Sequence, residues 1–440
     1  MSGFWNKIKG FAKVLCMVVG AVTLISLIGL ITFGMMNRYP KPIEKNTYLT
    51  IDFNKPFSES DNSGIWTEFT DDAPLPFLKM LEAVEYAAAD DNVSGLVAKI
   101  NKANLEPAKL QDIARAILRF EYSGKKTVVF SQGFGSLGQG SGDYYLASFF
   151  KQIYMQPHTY IGLTGISIEI PFLKNLLDKL GVTAEFYSRY EYKNAMASLT
   201  DTKISKAYAE EMTVLAQGLM SELELDIKGN RKLQDSFENI VNKAPLTAEE
   251  GQKLGLIDGI MYMSQLEDKL KSDGAEHFVN IKDYAAGLAP NSGNLPTVAL
   301  LNLSGEIIDG ESKDSLRQDD IIGSESVVAD IESIKKLPNL KAVVVRINSP
   351  GGSYNAADEI YFALKQLKEK TKVPVIVSQS AYAASGGYFI SLAGDYIFAE
   401  PMTITGSIGV LGGKAVFGKL WKKLGVSWSR LNFGKNAGIL

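Results

Sequence analysis

Apolar positions fall along the chain in three registers. The first is a block: residues 14–36 carry no charge, a length that as a helix crosses roughly 30 Å of hydrocarbon. Lys7, Lys9 and Lys13 precede it, and the positive-inside rule then keeps the N-terminus in the cytoplasm and exports the remainder. A cleavable signal peptide is the rival reading. No small-residue cleavage site stands out in Thr32-Phe33-Gly34-Met35-Met36-Asn37-Arg38, so an uncleaved single-pass anchor is expected. Downstream, apolar residues come either as short continuous runs, the signature of buried strands, or as stripes at helical spacing.

These two registers occur in the same order twice. Asn92-Val93-Ser94-Gly95-Leu96-Val97-Ala98-Lys99-Ile100-Asn101 aligns with Asn339-Leu340-Lys341-Ala342-Val343-Val344-Val345-Arg346-Ile347-Asn348, both strand-like and ending in Ile-Asn. Each is followed by an i, i+3, i+4, i+7 stripe: Ile113, Ala116, Ile117 and Phe120, then Ile360, Ala363, Leu364 and Leu367. A second strand follows in each copy, at Val128-Val129-Phe130-Ser131-Gln132 and Val375-Ile376-Val377-Ser378-Gln379. Ser141-Gly142-Asp143-Tyr144 then meets Ser385-Gly386-Gly387-Tyr388. Strand, helix, strand, helix predicts parallel βαβ units with right-handed crossovers, an α/β fold occurring twice. The turn formers of residues 289–296 mark the linker. Expected divisions are 1–45 for tail, anchor and linker, 46–290 for the first domain and 296–440 for the second. The first copy carries extra helices, one with the apolar stripe Tyr208, Met212, Leu215, Leu219, Leu223 and Ile227, another opened by a Thr247/Glu250 capping box.

Composition narrows the chemistry. A net charge of −3 over 440 residues offers no basic surface for nucleic acid. One cysteine and two histidines leave no disulfide framework, no Cys-based metal site and no metal-ligand spacing. The second copy has two glycine-rich turns after strands, Asn348-Ser349-Pro350-Gly351-Gly352-Ser353 and Ala383-Ala384-Ser385-Gly386-Gly387. Bare amides of Gly351 or Gly352 and of Gly386 could form an oxyanion hole, with the Ser385 hydroxyl beside them as nucleophile. His277 sits in a polar stretch without a counterpart in either copy, which leaves lysine as the base. Burial lowers a lysine pKa, and Tyr190 and Tyr192 flank Lys193 closely enough to desolvate it. Lys435-Asn436-Ala437 repeats Lys193-Asn194-Ala195, and from the residues alone either lysine could be a solvated surface charge.

Those motifs, followed by Ile404-Thr405-Gly406-Ser407-Ile408-Gly409-Val410, resemble the signal peptide peptidase A (protease IV) family in its long double-domain form. The resemblance runs from the anchor to Leu440. It implies tandem domains like those of Clp-type peptidases and crotonases, and a Ser/Lys dyad with Ser385 as nucleophile, Lys193 of the first copy as general base and Ser407 orienting that lysine. It also implies peptide substrates, chiefly remnant signal peptides, no metal or cofactor, a homo-oligomer, lipid contact through residues 14–36, and a bacterial inner-membrane location with the catalytic part on the extracytoplasmic side. Rival readings are a crotonase-like acyl-CoA enzyme, against which export argues because CoA is cytosolic, and a non-catalytic membrane scaffold. The first copy has Lys102-Ala103-Asn104-Leu105 where the second has Ser349-Pro350-Gly351-Gly352, so Ser141 is not expected to be a nucleophile. The second copy stops soon after Lys435, without counterparts of the first copy's later helices, and a C-terminally truncated chain with uncovered apolar surface is expected.

Overall fold

The computed structural model describes residues 42–59, 74–135, 138–288, 295–312 and 321–438. The expected anchor at 14–36 and most of the linker lie outside the described residues. Among the described residues no helix is long and apolar enough to cross a membrane.

Two parallel sheets organise the chain. The first runs in the order Gly259–Ile260, Gln152–Met155, Lys126–Ser131, Val93–Lys99, Thr47–Asp52 and His277–Asn280. The second runs Thr297–Ser304, Leu340–Ser349, Val375–Ala384 and Tyr396–Phe398, with Ile404–Gly406 pairing further along Val375–Ala384. The Val-rich central strands lie inside because crossover helices cover a parallel sheet. Helix Pro107–Tyr122 buries Ile113, Ala116, Ile117 and Phe120, and helix Tyr354–Thr371 buries Ile360, Ala363, Leu364 and Leu367. Each starts cleanly, one with proline in its first turn, the other with Ser353 accepting the Ala356 N–H at 3.4 Å. The repeated Ile-Asn also has a structural cause. Asn101 Oδ1 accepts the Gln132 N–H at 2.8 Å and Asn348 Oδ1 accepts the Tyr382 N–H at 3.2 Å, so each asparagine ties the end of its strand to the next.

The stripe on helix Lys206–Asn230 buries only its C-terminal end, Leu223 and Ile227, since the N-terminal half projects beyond the first core. The Thr247/Glu250 capping box forms with both reciprocal bonds, 2.8 and 3.2 Å. Helix Met263–Ser272 lays Leu266 and Leu270 over Tyr48, Val128 and Phe130 on the second face of the first sheet. On the second sheet Val298, Leu300, Tyr396 and Phe398 are exposed.

The two halves are interlocked. Strand Thr183–Ser188 of the first pairs antiparallel with Leu411–Val416 of the second, from Thr183 opposite Val416 to Ser188 opposite Leu411. Helix Pro107–Tyr122 also presents Asp112 to buried Arg346 and Arg115 to Glu400, the latter at 2.5 Å. Arg346 further donates to Ser378 and Ser380 at 2.8 and 2.9 Å, so the charge is compensated where water is excluded.

Candidate active site

Strand Val375–Ala384 ends against helix Gly386–Ser391, and the junction residue is Ser385. Its φ of 52° and ψ of −115° are sterically costly for a residue with a Cβ. The turn is held from outside: Ser385 N–H donates to Gly406 O at 2.9 Å, while Thr405 and Thr403 hydroxyls donate to Ala383 and Ser380 carbonyls, each at 2.9 Å. Ser385 is half-buried, leaving its side chain at a strained strand-to-helix corner.

The second glycine turn lies against this corner. A Cβ on Gly351 would stand 2.7 Å from the Ser385 Cβ and 2.9 Å from Gly386 N, so only glycine allows this approach. The strand residue Ile307 clamps the turn by donating to Gly351 O at 3.0 Å and accepting from Ser353 N–H at 2.8 Å. The amides differ in availability. Gly351 N–H is committed to the Ser349 hydroxyl at 3.1 Å, whereas Gly352 N–H has no acceptor among the described residues. Gly386 is the first residue of its helix, where an N–H has no intrahelical partner. Of the glycines singled out from the sequence, Gly352 and Gly386 have donors to offer, and Gly351 supplies the close approach.

Lys193 arrives from the other copy. The antiparallel pairing of Thr183–Ser188 with Leu411–Val416, extended by Arg189 N–H to Val410 O at 3.0 Å, carries the chain to a point beneath the 406–410 loop. There Lys193 Nζ donates to Ser407 O at 2.6 Å and lies 3.0 Å from Ser407 Oγ. Lys193 is buried, and burial pulls its ammonium below the ordinary lysine value, opposed by the charge of Glu211. Glu211 is held by Asn194 Nδ2 at 3.0 Å.

The flanking tyrosines do not desolvate the lysine. Tyr190 and Tyr192 are exposed, Tyr192 donating to Glu210 at 3.2 Å. The covering instead includes the backbone at Gly409, where an added Cβ would lie 3.7 Å from the Lys193 side chain. A 200 Å³ pocket lined in part by Phe186, Met196, Thr200 and Leu411 adjoins Lys193. This cover comes from the paired strand, a partner the local sequence does not reveal. Lys435 is exposed in the last described stretch. His277 lies on the edge strand of the first sheet, 3.4 Å from Glu44.

Ser141, the counterpart of Ser385, is occupied. Its hydroxyl donates to Gly165 O at 3.0 Å and accepts Gly165 N–H at 3.1 Å. Asp143, where the second copy has Gly387, accepts Ala103 N–H at 2.8 Å and so pins the loop corresponding to Pro350. Sequence reasoning passed over Asp143, although an acidic residue replacing a glycine beside the equivalent turn was visible in the alignment. Among the described residues no cluster of histidine, cysteine, aspartate and glutamate could hold a metal ion.

Comparison with known proteins finds relatives along most of the chain. Serine protease SPPA, chloroplastic, of Arabidopsis thaliana is 29% identical over 93% of this chain and 60% of its own length. Protease 4 of Haemophilus influenzae is 31% identical over 78% of this chain and 57% of its own, and Protease 4 of Salmonella typhi is 28% identical over 76% and 54%. The chain thus spans between half and two thirds of the length of these relatives. The model of peptidase family S49 matches residues 120–276 and 367–440, more than half of the chain. Its two matched segments span the Ser385 corner and the Lys193 strand pairing, and the chain belongs to peptidase family S49.

Proposed function

We propose that this chain is a serine peptidase with a Ser/Lys dyad, in which Ser385 is the nucleophile, Lys193 the general base and Ser407 the group that orients the lysine. The observation that carries the reading is the bonding of the buried Lys193 Nζ. Its two partners are both on Ser407, one residue from the Gly406 carbonyl that fixes the Ser385 amide. In the neutral amine, hydrogens directed at Ser407 O and Ser407 Oγ leave the lone pair for the Ser385 proton. Ser385 Oγ attacks the scissile carbonyl as Lys193 takes its proton, and the amides of Gly352 and Gly386 receive the developing oxyanion. The lysine ammonium then protonates the leaving amine, and water, activated by the same amine, releases the acyl group.

The substrates are peptides bound in extended form, chiefly remnants of cleaved signal peptides. The enzyme works as a homo-oligomer on the extracytoplasmic side of a bacterial inner membrane, held there by residues 14–36. The tandem peptidase-like domains divide the labour, the first supplying the base and the second the nucleophile and oxyanion donors. The test is labelling with a fluorophosphonate. Wild type should label, and Ser385→Ala and Lys193→Ala should not. Labelling that survives Ser385→Ala refutes the nucleophile, and full labelling of Lys193→Ala refutes the base.

A further inference from the structure

The place in the first copy that corresponds to the Ser385 corner is a cavity of about 370 Å³, within the roughly 300–1,000 Å³ typical of small-ligand sites. Its walls are largely apolar, from Leu110, Ile166, Leu219 and Leu223 of the first copy and Met402 of the second. It cannot repeat the chemistry of the second copy, because both hydrogen-bonding roles of the Ser141 hydroxyl are taken by Gly165. The turn survives in part, with Asn104 at a φ of 47° where Gly351 has 108°, while Leu105 does not share the positive φ of Gly352.

One polar group in this cavity is incompletely used. Asp143 is 8% exposed and borders the space. One of its carboxylate oxygens accepts the Ala103 N–H; the other has no hydrogen-bond partner among the described residues. Lys102 at the rim is exposed and acts on Asp143 only through space. That oxygen opens on the cavity and is not sealed in protein, and the natural complement of a carboxylate there is a charged donor. We propose that this cavity is a non-catalytic binding site for a protonated amine carried on an apolar peptide, with the amine on the free oxygen of Asp143 and the apolar side chain against Leu219, Leu223 and Met402. The two sources of such an amine are a peptide's amino terminus and a lysine side chain. The site is independent of the catalytic assignment, since it uses none of Ser385, Lys193 or Ser407.

Met402 gives the site a mechanical link to the other half. Its backbone N–H donates to Gln111 Oε1 of helix Pro107–Tyr122 at 2.9 Å, and two residues later the strand Ile404–Gly406 begins, which holds the Ser385 turn. A ligand in the cavity therefore touches the segment that positions the corner.

The experiment is calorimetric titration of the full chain, carrying Ser385→Ala to prevent turnover, with three peptides: Leu-Leu-amide, its N-acetyl form, and N-acetyl-Lys-Leu-Leu-amide. At least one amine-bearing peptide should bind about tenfold or more tightly than N-acetyl-Leu-Leu-amide, the scale of one charge-assisted hydrogen bond, and which one does so identifies the source. Asp143→Asn keeps an oxygen for the Ala103 N–H but loses the charge, and should abolish that preference. Leu219→Trp fills the cavity without touching Asp143, and should abolish binding there. Equal binding of all three peptides, or an amine preference that survives either Asp143→Asn or Leu219→Trp, overturns the proposal.

Discussion

Replacing Gly352 by alanine tests the oxyanion turn with a single added atom. The new Cβ would lie 2.0 Å from Ile307 O and 2.7 Å from Ile307 N, both buried backbone atoms that cannot swing aside like a side chain. The φ of 155° at this position adds strain for any residue but glycine. The turn must therefore move off Ile307, breaking the two bonds that clamp it, Ile307 N–H to Gly351 O and Ser353 N–H to Ile307 O. At about 1 kcal/mol per bond, with about 1–2 kcal/mol for strain, stability should fall by roughly 3–4 kcal/mol. A domain stable by about 5–15 kcal/mol remains folded after that loss. Catalysis should suffer more, because the Gly352 N–H moves away from the oxyanion position, and loss of one such donor costs about 10²–10³ in turnover. The assay is kcat/KM on a fluorogenic peptide alongside chemical denaturation. A Gly352→Ala enzyme that is destabilised as stated yet keeps kcat/KM within about threefold of the parent would refute the argument that this amide stabilises the oxyanion.

Other expectations follow from the same geometry. Activity should rise with pH as Lys193 loses its proton, along a limb below the ordinary lysine range, because burial favours the neutral amine. Glu211→Gln keeps an acceptor for Asn194 and removes the charge that opposes this shift, so the limb in a kcat/KM profile should move to lower pH; movement to higher pH contradicts the electrostatic account. Ser407→Ala loses the 3.0 Å bond to Lys193 and keeps the 2.6 Å backbone bond, so kcat/KM should drop about fivefold to tenfold, the value of one hydrogen bond; an unchanged rate removes Ser407 from the orienting role. Burial pushes the Asp143 carboxyl up to about 6, above an unfolded value near about 4. Between those values the native state holds more protons than the unfolded state, so the carboxylate costs stability as pH rises through the window, by up to about 3 kcal/mol above it. Asp143→Asn should accordingly raise the melting temperature at pH 8, with a gain that disappears toward pH 4; a variant less stable at pH 8 than at pH 4 relative to wild type reverses the sign.

Local pattern was sufficient for the elements and for singling out half of the candidate site. The strands around Val97 and Val345 and the helix stripes at Ile113 and Ile360 are set by short-range periodicity, because a parallel sheet must bury its strands and a crossover helix must bury one face. Ser385 and its glycines were legible for a similar reason, since turns that bring bare amides together need glycine at fixed offsets. Lys193 could be singled out only through a repeated tripeptide and a family likeness, and the local reason offered for its burial was incorrect. Tyr190 and Tyr192 face solvent, and the cover comes from strand Leu411–Val416 and the 406–410 loop, more than 200 residues away in the chain. Tertiary structure also decided which amide of the glycine pair is free, because the Ser349 hydroxyl that occupies Gly351 N–H is placed by the turn as a whole. The carboxyl of Asp143 gained its cavity from helix Lys206–Asn230 and from Met402 of the other half. Sequence spacing determines what a residue can do through its neighbours along the chain, whereas desolvation and hydrogen-bond occupancy depend on atoms brought close by folding, and those are what lower the pKa of Lys193.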